Sequence, residues 1–170
     1  WDYLQYFINE ARRLGLKVTV STAMFPSGHP ATNEGLVYEE SRWDGKTCLE
    51  YTPDGKMLDI REDKKKVGAF LNPVRKDVRK FALSIVREIV KNYDVDAYAL
   101  DYCRYPGDDS DFSADSHKAF EHYLGKKVRN FPDNIFTWNA DGTKNPGVYY
   151  KEWWAFRANV ITSFVKEVRK

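Results

Sequence analysis

The stretch that most restricts the fold is Val95-Asp-Ala-Tyr-Ala-Leu-Asp-Tyr-Cys-Arg-Tyr-Pro106, whose side chains alternate by size. Read as a strand over 95–103, it puts Ala97, Ala99, Asp101 and Cys103 on one face and Asp96, Tyr98, Leu100 and Tyr102 on the other. A small face opposed to a bulky one suits a parallel strand in a barrel, with compact residues in the narrow interior and large ones under covering helices. Asp101 then points inward at the C-terminal end of the strand, where parallel barrels build active sites. The competing reading is structural: a strand-end carboxylate often accepts loop amides or pairs with a nearby arginine, and Arg104 follows closely.

The flanking segments fit an α/β order. Leu4, Phe7, Ile8, Ala11 and Leu14 recur at helical spacing and Gly15 supplies a stop, although no capping residue is evident at the start. The β-branched run over 17–25 reads as a buried strand. Asn72-Pro73 reads as N-cap and first helical position of a long helix, with Val74, Val78, Phe81, Ile85 and Ile89 along one stripe. Strand, helix and parallel strand form one crossover unit, expected to be right-handed. Ser113 is a candidate N-cap for a helix stopped at Gly125, 131–149 reads as turn-rich, and a last helix starts near Tyr150.

Between the first strand and the long helix lies an excursion over 26–70, too long for a connector. Pro53-Asp54-Gly55 separates two short apolar runs and predicts a hairpin. The excursion leaves the C-terminal end of the first strand, so His29, Trp43, Glu50 and Tyr51 are candidates to line a site beside Asp101. Each of these is also readable as an ordinary exposed loop residue.

Composition removes several classes of function. The net charge is +2 with acids and bases interleaved, so no basic stripe for nucleic acid stands out. No run of about 18 apolar residues suits a membrane span. Cys48 and Cys103 form neither a disulfide framework nor a metal-ligand spacing. Asp108, Asp109 and Asp111 crowd together without the spacing or terminal Glu of an EF-hand, so a solvated loop is favoured over a metal site, and no cofactor is implied. Five Trp, eleven Tyr and ten Phe suit stacking on sugar rings, and equally the filling of a core.

Phe70-Leu-Asn-Pro73, Lys91-Asn-Tyr-Asp-Val-Asp96, Ala99-Leu-Asp-Tyr-Cys-Arg-Tyr-Pro106 and Trp153-Trp-Ala-Phe-Arg157 together resemble the alpha-amylase-like, glycosyl-hydrolase-like barrel proteins of bacterial carbohydrate metabolism. The resemblance implies a partial (β/α)8 TIM barrel holding the third and fourth strands, with 1–170 a single segment of a catalytic domain cut from a larger barrel. It implies hydrolysis of glycosidic bonds, with Asp101 at the nucleophile's position, or else noncatalytic carbohydrate binding. Arg104, Tyr102 and Tyr105 would contact the sugar along with Trp43, Glu50 and Tyr51. Partners would be a carbohydrate and the rest of the barrel, in a periplasmic or extracellular setting. The family's arginine two residues before the aspartate is replaced here by Ala99, so Arg104 is not its equivalent. A tryptophan common late in the third strand is absent, with Ser21 and Thr22 at that point.

Overall fold

The computed structural model describes residues 1–170 and sets the two expected strands side by side. Strand β1 (Thr19–Ala23) runs parallel to β4 (Ala97–Asp101), from Thr19 opposite Ala97 to Ala23 opposite Asp101. Tyr98 and Leu100 pack on the main core, while Ala97, Ala99 and Asp101 are exposed on the opposite face. β4 is shorter than the sequence suggests because Tyr102 sits at φ 46°, a left-handed conformation that ends the extended run.

Helix α3 (Lys76–Asn92) joins the two strands and buries Val78, Ala82, Leu83 and Val86 in the cluster that holds Met24, Phe25, Phe70 and Leu71. Its start differs from the expected one. The helix begins at Lys76, and Arg75, which gives no side-chain cap, stands in the N-cap place. Asn72 is buried; its Oδ1 accepts from Val74 N at 3.0 Å in a local turn, and its amide group points elsewhere, at the Asp111 carboxylate. An Asn-Pro pair here marks a tethered turn, with the helix following it.

Helix α1 (Tyr3–Arg13) is capped after all, since Asp2 accepts from Gln5 N at 2.9 Å. Arg12 reaches from it to the Asp96 carboxylate at 2.6 Å and to the Asp94 carbonyl at 3.0 Å, anchoring the helix to the start of β4. A second core is aromatic: Trp153 stacks on Phe112 at 5.1 Å between ring centroids and meets Phe120 edge-on at 4.9 Å. It joins α5 (Tyr150–Val168) to α4 (Ala114–Leu124), the latter capped by Ser113 and stopped by Gly125 at φ 69°. The segment read only as turn-rich contains an antiparallel hairpin, β5 (Phe136–Trp138) with β6 (Lys144–Pro146). Arms this short show no alternation in sequence. No helix is long and apolar enough to cross a membrane.

Candidate functional site

The excursion after β1 contains a short helix, α2 (Leu36–Glu39), and the expected hairpin, β2 (Leu49–Tyr51) with β3 (Met57–Asp59). Backbone hydrogen bonds lead from the strand ends to this hairpin. Met24 N donates to Asp101 O at 2.9 Å, Leu71 N to Phe25 O at 2.9 Å, and Cys48 N to Phe70 O at 2.8 Å. On its other edge β2 takes the loop after β4, with Tyr51 N donating to Asp109 O and Phe112 N to Leu49 O. The chain leaving the C-terminal end of each strand therefore converges on β2. Long excursions can be held this way because each extended segment satisfies its backbone groups on the next.

A charge cluster locks that junction. Glu50, 2% exposed, has Oε1 2.5 Å from Lys66 Nζ at an angle outside that of a hydrogen bond, and the same ammonium reaches Asp109 Oδ2 at 3.0 Å. Burial pushes the Glu50 carboxyl up to about 7, and Lys66 works against that rise. Burial also pushes the Lys66 ammonium down, but its ion pairs with Glu50 and Asp109 reverse this and leave it raised. Gly107 fits beside the pair because a Cβ there would lie 2.4 Å from Asp109 Oδ1. A carboxyl raised from 4.5 binds its proton more tightly folded than unfolded, so its contribution is fully present below pH 4.5 and is lost as pH rises through 7. We expect this group to cost up to about 3 kcal/mol of stability across that window. Urea unfolding at pH 5 and pH 8 checks it: Glu50→Gln should flatten the pH dependence, and an equally steep profile in the variant would assign the slope to another group.

Asp111, fully buried, organises the same loop through five donors. Its Oδ1 accepts from Leu49 N at 2.6 Å and Ser113 N at 3.2 Å; its Oδ2 accepts from Asn72 Nδ2 at 2.5 Å and from the Ser113 and Ser116 hydroxyls, each at 2.6 Å. Burial pushes its carboxyl up and these donors oppose the rise. Asp108 and Asp109 are paired with Lys144 and Lys66, and no group of His, Cys, Asp and Glu in the fold could hold a metal ion. The acidic loop is thus a set of ion pairs and buried bonds, tighter than the solvated loop expected.

Asp101 is exposed at the end of β4, and its Oδ1 accepts from Tyr102 N at 2.8 Å. It is not paired with Arg104. That guanidinium donates to the carbonyls of Tyr105 at 3.1 Å and Pro106 at 3.4 Å and lies 5.0 Å from the centroid of the Tyr102 ring. The structural ion pair is therefore set aside. Tyr102 stands edge-on to Phe70 at 6.0 Å, and its positive φ places a strained residue directly after the carboxylate. Tyr105 is buried under Arg157, whose guanidinium carbon lies 4.4 Å from its ring centroid.

The other expected residues divide by burial. Trp43 is a core residue, 3% exposed, with its ring 4.8 Å from Phe81, and has no free face for a ligand. Tyr51 is buried among Phe112, Phe136 and Trp138 and bonds Asp133 through its hydroxyl at 3.0 Å, so like Glu50 it supports the hairpin from within. His29 lies in a tight turn, bridged to Glu34. Local spacing does not reveal the roles of Lys66, Asn72, Asp111 and Arg157, because single polar residues scattered along the sequence meet only when the hairpin docks. The Asn-Pro and Asp-rich runs stand out in the sequence, but by themselves they indicate only capping and solvation.

The chain matches the model of the glycosyl hydrolase-like 10 family over residues 1–170. It is similar to an S-layer-related protein of Niallia circulans, 37% identical over an alignment of 174 positions that covers 99% of this chain. The chain spans 11% of that relative's length.

Proposed function

Because the chain belongs to the glycosyl hydrolase-like 10 family, we propose that it forms part of a carbohydrate-cleaving (β/α)8 barrel, with β1 and β4 as its third and fourth strands, in an alpha-amylase-like arrangement. The carrying observation is Asp101, exposed at the C-terminal end of a parallel strand on a face of small residues, with the elaborated hairpin and loop gathered at that same end. Asp101 acts as nucleophile or as stabiliser of the positive charge that develops on the sugar, while Arg104 and Tyr102 contact the substrate. Tyr105, Glu50 and Tyr51 hold the loop that carries those contacts. Glycosidic hydrolysis needs a second carboxylate, about 5 Å away for retention or roughly 6.5 to 9.5 Å for inversion. On this reading a neighbouring strand of the longer protein supplies it.

The description of the Niallia circulans relative as S-layer-related favours a second reading, a noncatalytic carbohydrate-binding barrel. Incubating the intact protein with neutral and acidic polysaccharides and measuring new reducing ends separates the two. Release of reducing ends supports hydrolysis; retention of polysaccharide with no release supports binding alone.

A further inference from the structure

Arg157 carries a buried charge with no carboxylate in direct contact. Its side chain is 5% exposed and forms no ion pair; Nη2 donates to the Gly107 carbonyl, and Nε and Nη1 have no acceptor. Its guanidinium lies between two rings, 4.4 Å from the Tyr105 centroid and 4.5 Å from that of Trp154. The Tyr105 hydroxyl beside it is also buried without a partner. Burial pushes the guanidinium's proton affinity down, outweighing the more distant Asp108 and Asp111 carboxylates that push it up.

Above these residues runs a groove of about 470 Å³, lined by Cys103, Arg104, Tyr105, Trp154, Arg157 and Ile161 among others, none of them acidic. Four other grooves that carry cations each hold at least one carboxylate as well. The groove starts just past Asp101 in sequence, and it combines an exposed arginine, a buried one beneath and an indole ring at the wall. A sugar that bears a carboxylate fits this set: its anion would face Arg104 above the Arg157 charge, and its ring would lie along Trp154.

We propose that this groove binds the carboxylate of an acidic sugar, so that the glycan recognised by the protein is an acidic one. The inference rests on the carbohydrate reading above and narrows its substrate class.

Calorimetric titration of the intact protein with sodium glucuronate, glucose and sodium acetate tests it. Glucuronate should bind about tenfold or more tightly than either glucose or acetate, and Arg157→Gln should remove that preference. Arg104→Gln changes an exposed side chain, so it reports on the groove even if the Arg157 variant does not fold; it should weaken glucuronate about tenfold, and glucose by much less. Equal binding of glucuronate and glucose overturns the proposal, as does acetate binding as tightly as glucuronate. An unchanged glucuronate affinity in Arg104→Gln overturns it too, and so does a groove that takes no probe because other polypeptide of the longer protein fills it. The two readings fail separately. Turnover of neutral glycans alone would sink the acidic-sugar site and leave hydrolysis standing. Selective glucuronate binding without cleavage of any glycan would do the reverse.

Discussion

Asp111→Ala is expected to lower the free energy of unfolding by about 3 to 5 kcal/mol. The substitution strips the acceptor from five donors in a fully buried place, and only the two serine hydroxyls can turn to other partners. Leu49 N and Ser113 N would remain without an acceptor, each at a cost of about 1 kcal/mol or more, while the Asn72 amide would keep only its longer bonds to the Ser113 and Ser116 hydroxyls at 3.0 and 3.3 Å. Asp111→Asn preserves the volume but sets an amide NH2 among donors, so it should recover only part of the loss. Urea unfolding followed by tryptophan fluorescence measures both. A loss under about 1 kcal/mol for the alanine variant would mean that the loop after β4 is held by the Glu50, Lys66 and Asp109 cluster instead.

The sequence made the scaffold legible where a regular repeat is enforced by burial. Alternation in 97–101 follows from one face meeting the core and is found as read; the helical stripe is found shifted, with the buried face through Val78, Ala82, Leu83 and Val86 while Phe81, Ile85 and Ile89 are half-buried at its edge. The Pro53-Asp54-Gly55 turn was legible because Gly55 sits at φ 78°, which a glycine adopts without strain. The site was less legible. Asn72 looks like a cap locally, yet its amide is claimed by Asp111 from a distant loop, and Trp43 looks like a loop residue until α3 covers it. Such assignments depend on which loop docks where, and local spacing carries no information about that. Arg104 illustrates the same limit: its nearness to Asp101 in sequence suggested an ion pair, but the turn at Tyr102 directs it to the Tyr105 and Pro106 carbonyls.

The claim at the centre of this account is that Asp101 is the chemical centre of the intact protein, and Asp101→Asn tests it with little structural disturbance. The carboxylate is exposed, and its hydrogen bond from Tyr102 N can be accepted equally by an asparagine oxygen. The fold should therefore be unaffected, with unfolding free energy within about 0.5 kcal/mol of the parent. The deciding measurement is the rate of reducing-end release by the full-length protein, parent against variant, across a panel of neutral and acidic polysaccharides. The account predicts a fall of about a thousandfold or more in kcat at unchanged stability. Turnover retained by a correctly folded Asp101→Asn protein would contradict it.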